Sequence, residues 1–383
     1  MIPDISPQMY SHSSSPQPPI LGTGALNRAL LARQMLLERA KLPALEAVER
    51  LAGLQAQSPS APYFALWTRL AEFRQKELSR LLLNRSAVRI ALMRSTLHLV
   101  SGRDALYLRP LLQPALDRSL SGSFGKKLTG INLDELAAAG RELVESGPIS
   151  LHQLGQQLKD HWPEADPAAL SAAVRTLVPL VQVPPRGIWG ESGQALHTSS
   201  EIWLGQELET NPSTERMVLR YLAAFGPASV KDIQVWSGLT RLGKVIDRLR
   251  PQLAVFQDEQ GTLLYDLPGA PRPEQDTPCP PRFLGEFDNM LLSYVDRSRI
   301  LESSYRSRVF TVNGIIRSTV LLDGFVAGVW RIKRKRSEAG LVIELFKPLT
   351  SNVKKSLAEE GERLLRFAEA DAVSYNIQFK EPV

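Results

Sequence analysis

The chain has 383 residues, 43% hydrophobic and 22% charged, and its 46 Lys+Arg against 40 Asp+Glu give a net charge of +6. No apolar run reaches the roughly 20 residues of a membrane span, and no signal-peptide stretch opens the chain, so no membrane partner is expected and the cytoplasm is the expected compartment. The single Cys279 excludes an intrachain disulfide and a cysteine-rich zinc site, and the modest basic excess permits a polyanionic partner without requiring one.

Residues 1–22 are rich in Ser, Pro and Gln and read as a disordered leader. Apolar spacing predicts helices from Asn27 onward and over 43–54, 61–70 and 73–84, followed by a strand pair or one long strand over 88–100. Lys126 and Lys127 follow in a Ser/Gly-rich stretch that reads as a loop.

Two segments in the middle of the chain repeat each other. Gly147-Pro148-Ile149-Ser150 and Gly226-Pro227-Ala228-Ser229 each follow a predicted helix (133–144 and 214–223) and precede another. Ser150 and Ser229 are suited to cap the following helix, because a Ser oxygen accepts from free amides of the first turn. A third helix ends in Leu-x-Pro each time, and β-prone residues around glycine turns follow over 181–197 and 253–267. Helix, capped helix, third helix and hairpin is the plan of a winged helix, whose third helix fits a major groove.

Past the Pro-rich stretch 268–281, strands are expected over 310–312, 315–322, 325–333 and 341–345. Their turns are expected at Asn313-Gly314, Asp323-Gly324 and residues 338–340, with a last helix over 352–370. The basic run Arg331, Lys333, Arg334, Lys335, Arg336 reads as a solvated hairpin. The expected fold class is therefore α+β, with tandem winged-helix domains and a C-terminal β-rich α/β module. The expected divisions are 1–22 (leader), 23–130, 131–210, 211–270 and 271–383.

Familiar catalytic patterns are scarce. The five His residues are scattered, and there is no Cys-x-x-Cys, no phosphate-cradling Gly-rich loop and no Gly-x-Ser-x-Gly. No metal or other cofactor is expected. What remains is Gln55-Ala56-Gln57 after Gly53. In an extended backbone both amides project to one side, because side chains alternate along a strand. By itself the pair is also what a polar helix terminus looks like.

The string Gly53-Leu54-Gln55-Ala56-Gln57-Ser58-Pro59, with Tyr63-Phe64-Ala65-Leu66-Trp67, resembles the AlkZ/YcaQ family of bacterial winged-helix DNA glycosylases. The likeness continues at Arg94-Ser95-Thr96-Leu97-His98-Leu99-Val100, where the family usually has Gly at the place of Ser95. It resumes at residues 187–193, at Phe287-Asp288-Asn289, at Asp296-Arg297-Ser298-Arg299 and at residues 322–330. The resemblance implies three tandem winged helices around a concave DNA-binding channel, and a Gln-hydrophobic-Gln catalytic motif at Gln55 and Gln57. It also implies a monofunctional glycosylase acting on N-alkylated purines in duplex DNA, bulky adducts and interstrand crosslinks included, in alkylation-damage or base-excision repair. Some relatives carry Asp at the second position; this chain is similar to the all-Gln branch. A monomer is expected.

A purine alkylated at N7 is already cationic and leaves without an acid. Two neutral amides would then suffice to orient a water and face an oxocarbenium-like sugar. Other candidates for contacting DNA are Arg94, His98, Lys126, Lys127, Arg186, Trp189, Arg297 and Arg299. His98 and Trp189 are equally suited to the core, and Arg297 and Arg299 to ion pairs with Asp288 and Asp296. The alternative overall reading is a non-enzymatic winged-helix transcription regulator.

Overall fold

A computed structural model describes residues 17–380, so residues 1–16 of the expected leader lie outside the described residues. The leader's expected end is not free: Leu21 N donates to Gln257 O (2.8 Å) and Gln257 N to Pro19 O (2.9 Å). Residues 19–21 thus lie along a hairpin more than two hundred positions away.

The first segment forms the predicted helices Thr23–Arg33, Ala44–Arg50, Ala61–Arg69 and Gln75–Leu83, then the strands Ala87–Ala91 and Leu97–Ser101. Two unforeseen helices follow, Gly102–Leu111 and Gln113–Phe124. Pro110 lies at the end of the first and Pro114 in the first turn of the second, where a missing N–H costs little. Lys126 and Lys127 are not in a loop: they sit in a 3-10 turn, Gly125–Leu128, which continues the second helix.

The repeated segments take matching structures. Leu133–Ser146, Leu151–Leu158 and Pro167–Leu177 precede the hairpin Leu180–Val183 and Leu196–Ser199, and Thr214–Phe225, Val230–Ser237 and Gly243–Leu249 precede Ala254–Gln257 and Leu263–Asp266. Ser150 and Ser229 both cap their helices, each in a reciprocal box closed by Gln153 and Asp232.

The first hairpin does not stand apart. Six antiparallel strands form one sheet in the order Leu54–Gln55, Leu97–Ser101, Ala87–Ala91, Leu180–Val183, Leu196–Ser199 and Ile149–Ser150. Arg89 lies opposite Gln182 at the seam, so the sheet runs across the expected boundary at residue 130. The short strand Leu54–Gln55 is at its edge.

At the C-terminal end, Arg282–Leu284, Thr319–Leu322, Phe325–Lys335 and Glu338–Leu345 pair antiparallel, and Ser374–Lys380 adds a parallel edge. The helix Ser351–Ala368 makes the crossover that a parallel pair requires, burying Leu357, Leu364 and Leu365. Three expectations are corrected here. Residues 310–312 form only a bridge, Phe310 to Ile316, around Asn313-Gly314. The turn expected at 338–340 lies two residues earlier, because Lys335 pairs with Glu338 and leaves Arg336 and Ser337 as the loop. The strand Ser374–Lys380 was not expected, although Tyr375, Ile377 and Phe379 alternate as a half-buried strand should.

The N-terminal helix clamps this module. Asn27 Nδ2 donates to Arg299 O (2.7 Å) and Gly324 O (2.9 Å). Asp323 and Gly324 both have positive φ, the two-residue hairpin geometry, and a Cβ on Gly324 would collide with Asn27 Oδ1. One hydrophobic core runs from Leu30 through Ile90 and Trp236 to Phe346.

Candidate active site

The helix Ala44–Arg50 ends through Ala52 and Gly53, both with positive φ. At Gly53 a Cβ would meet Val100 Cγ1 at 2.7 Å, so only glycine lets the chain turn this close to the neighbouring strand. The backbone then runs extended, with Gln55 opposite His98 and Ala56 N donating to Leu97 O (2.8 Å). Leu54 and Ala56 enter the core, and the two Gln side chains share the other face. Gln55 Nε2 donates to Gln57 Oε1 at 2.5 Å. Gln55 is 5% exposed, whereas Gln57 is open to solvent.

Three side chains from distant parts of the chain fix this strand. Asn289 accepts from Gln55 N (3.2 Å) and donates to Gly53 O (2.6 Å). Arg89 Nη2 donates to Ala56 O (2.7 Å), and Arg94 Nη2 to Gln55 Oε1 (2.8 Å). Asn289 is itself oriented by Asp288, which caps the turn Asn289–Leu291 and holds Arg69 in a buried two-pronged pair, both contacts 2.8 Å. Asp288 therefore pairs with Arg69, not with the expected Arg297 or Arg299.

Arg94 also donates to Trp236 O (2.5 Å), so it is tied to protein carbonyls rather than free for a phosphate. Burial lowers the pKa of Arg94 and of Arg89 to about 10, and both remain charged at neutral pH. His98 is fully buried. Its Nδ1 lies 2.9 Å from Thr96 O, a carbonyl that can only accept, so Nδ1 carries the proton. Nε2 is then a bare acceptor, and it has no partner among the described residues. Burial first, and the Arg94 charge second, push the His98 pKa down to about 3 against the pull of the Thr96 carbonyl. His98 is thus neutral and presents no surface to solvent.

The remaining candidates lie elsewhere. Arg299 is buried, donating to Pro227 O (2.8 Å) and lying over the Tyr294 ring, so it is a core residue and not a DNA contact. Arg297 donates to Leu291 O (2.7 Å) and covers Phe310. Trp189 is half-buried, with its ring against Tyr63, Phe64 and Phe367. Arg186 lies near Arg89 in the adjoining hairpin and contacts Gly193 O (3.4 Å). Asp296 accepts from Ser298. Lys127 pairs with Asp166, the N-cap of the helix Pro167–Leu177, and Lys126 is exposed.

A cleft of about 470 Å³ opens beside the motif. Ser58 and Ser60 line it with Phe64, Trp189, Arg317 and Arg331. Neither Gln55 nor Gln57 lines that cleft, but Ser58 is the neighbour of Gln57; a cleft of about 570 Å³ around Arg306, Tyr305 and Phe346 has no lining residue from 53–60. Sequence reasoning missed Asn289, Arg69 and Arg89 as supports. For Asn289 and Arg69 the only signal is the lone string Asp288-Asn289; for Arg89 it is a charge within an otherwise apolar strand.

A pair of amides on a fixed edge strand, open at one end, resembles a site that positions reactants rather than one that transfers protons. Comparison with known proteins gives the class of the chain, a DNA glycosylase family. The family model described as "DNA glycosylase AlkZ-like" matches residues 48–367, and the chain belongs to this AlkZ-like family. Over 320 residues it is 26% identical to the "Interstrand DNA cross-link repair glycosylase" of Streptomyces sahachiroi, covering 79% of this chain and 85% of that one. The solved structure of Streptomyces sahachiroi DNA glycosylase AlkZ superposes with a TM-score of 0.74 at 21% identity. That match covers 94% of this chain and 100% of the other, and it shows a common mixed α+β fold. Among the described residues no helix is long and apolar enough to cross a membrane.

Proposed function

We propose that this glycosylase hydrolyses the N-glycosidic bond of cationic N-alkylated purines in duplex DNA, bulky adducts and interstrand crosslinks included. Gln55 and Gln57 are the catalytic pair. The observation that carries the reading is the hydrogen bond between their amides beside the edge strand, with Gln55 buried and Gln57 open to solvent. A cationic base needs no general acid, and the face offers none: His98 beside the pair is buried and neutral. Gln57 Oε1 keeps one lone pair after accepting from Gln55. It uses that pair to orient the attacking water and to face the positive charge growing at C1′. Gln57 Nε2 is left for an acceptor on the nucleotide.

The two repeated units act as winged helices, and the first segment, elaborated by extra helices, acts as a third. The basic hairpin supports a DNA-facing surface beside the motif. Arg331, Lys333, Lys335 and Arg336 are exposed, while Arg334 is neutralised by Glu369 and Asp371. Arg331 lines the same cleft as Ser58 and Ser60. The test is a panel of duplexes carrying N7-methylguanine, a bulky N7 adduct or an N7–N7 crosslink, assayed for free base. Release from these and not from unmodified guanine is expected. Absence of release from all of them would refute the reading, and tight sequence-selective binding without release would instead favour a regulator.

A further inference from the structure

We infer that Arg94 is a positioning residue that sets the direction of the Gln55–Gln57 amide pair, an inference resting on the function proposed above. A guanidinium can only donate. Because Arg94 Nη2 contacts the Gln55 side chain, the Gln55 atom facing it must be the carbonyl oxygen. Gln55 Nε2 must then face Gln57, and the Gln57 atom that receives it must be Oε1. Amide rotation by half a turn, otherwise free, is thereby excluded at both residues, and Gln57 presents one lone pair and both Nε2 protons outward. Without the cation the two amides could reverse together and exchange the donor and acceptor shown to the nucleotide.

The anchor of Arg94 is rigid. Its other nitrogen holds Trp236 O near the end of the helix Val230–Ser237, where carbonyls lack helical donors. Trp236 is packed against Tyr221 and Phe225 in the core. Arg94 and Ser95 both sit at positive φ, 56° and 60°. Two consecutive non-glycine residues in that region persist only where the surroundings over-determine them. No carboxylate forms an ion pair with Arg94 among the described residues, so its charge is directed at the two carbonyls. The third helical unit is in this way connected to the edge strand that carries the pair.

The experiment compares wild type, Arg94→Met and Arg94→Lys by single-turnover release of N7-methylguanine, by DNA affinity, and by the side-chain amide NMR signals of Gln55. Loss of one charge-assisted hydrogen bond predicts a release rate about 100-fold lower for Met and about 10-fold lower for Lys. DNA affinity should stay within about threefold, and the Gln55 amide signals should move towards free-glutamine positions in Arg94→Met. A wild-type rate in Arg94→Met, or rate and affinity falling together, would overturn the inference. So would unchanged Gln55 signals. If wild type itself releases no base, the functional reading fails while the amide signals still decide the role of Arg94. If Arg94→Met does not fold, Arg94→Lys carries the same comparison.

Discussion

The backbone amide of Gln55 donates to the side-chain oxygen of Asn289, 234 positions further along the chain. Asn289 also donates to Gly53 O, so a single buried side chain holds both ends of the turn leading into the motif. Replacing it with Ala leaves two buried backbone groups unpaired, which costs about 2–4 kcal/mol in all. Asn289→Ala should lower the denaturation midpoint and slow base release by at least about tenfold. Parallel urea melts and single-turnover assays check both effects.

The site's pH behaviour follows from its histidine. His98 is held neutral, with a pKa of about 3 against an ordinary 6.5, and His197 is lowered to about 4. Between those values and 6.5 the unfolded chain binds protons that the folded one does not. Stability is therefore full above about pH 6.5 and falls as the pH drops towards 4, by up to about 1.4 kcal/mol per unit for each histidine. The release rate should be flat from pH 6.5 to 9, since no group at the motif titrates there. A bell-shaped profile would point to an acid or base outside the amide pair.

Two backbone positions beside the motif respond oppositely to glycine and alanine. Ser95 has φ 60°, which costs a non-glycine residue roughly 1–2 kcal/mol, against about 0.5–1 kcal/mol for the extra freedom of an unfolded glycine. Ser95→Gly should be neutral or stabilising by up to about 1 kcal/mol. Gly53→Ala meets both positive φ and a 2.7 Å clash with Val100, and should lose more than about 2 kcal/mol. Thermal melts of the two variants decide the point.

The exposed hairpin predicts the salt dependence of DNA binding. Removing one phosphate-binding cation reduces the slope of log K against log salt by about 0.9. Replacing Lys333, Lys335 and Arg336 with Gln should make that slope shallower by about 2–3, measured by anisotropy on undamaged duplex. An unchanged slope would place the DNA elsewhere on the protein.

What the sequence made legible is the part governed by neighbours in the chain. The Gly-Pro-x-Ser segments announce their capped helices through turn chemistry, and the Gln55-Ala56-Gln57 alternation announces a shared face. Asp323-Gly324 announces its hairpin because only certain residues tolerate its backbone. The supports of the motif are held by contacts across tens to hundreds of residues. Nothing near Arg94 indicates that it ends on Trp236 and Gln55 rather than on a phosphate, or that Asp288 finds Arg69. His98 and Arg299 are polar residues whose burial becomes visible only once the sheet and the core are assembled. Ser374–Lys380 is the exception, an unexpected strand whose alternation is as regular as that of any other in the chain.

The most direct test of the account is single-turnover release of N7-methylguanine from a duplex by wild type, Gln55→Ala and Gln57→Ala, with DNA affinity measured alongside. The account predicts release by wild type, a loss of about 100-fold or more in each variant, and affinities within a few-fold of one another. No release by wild type, or undiminished release by both variants, would contradict it.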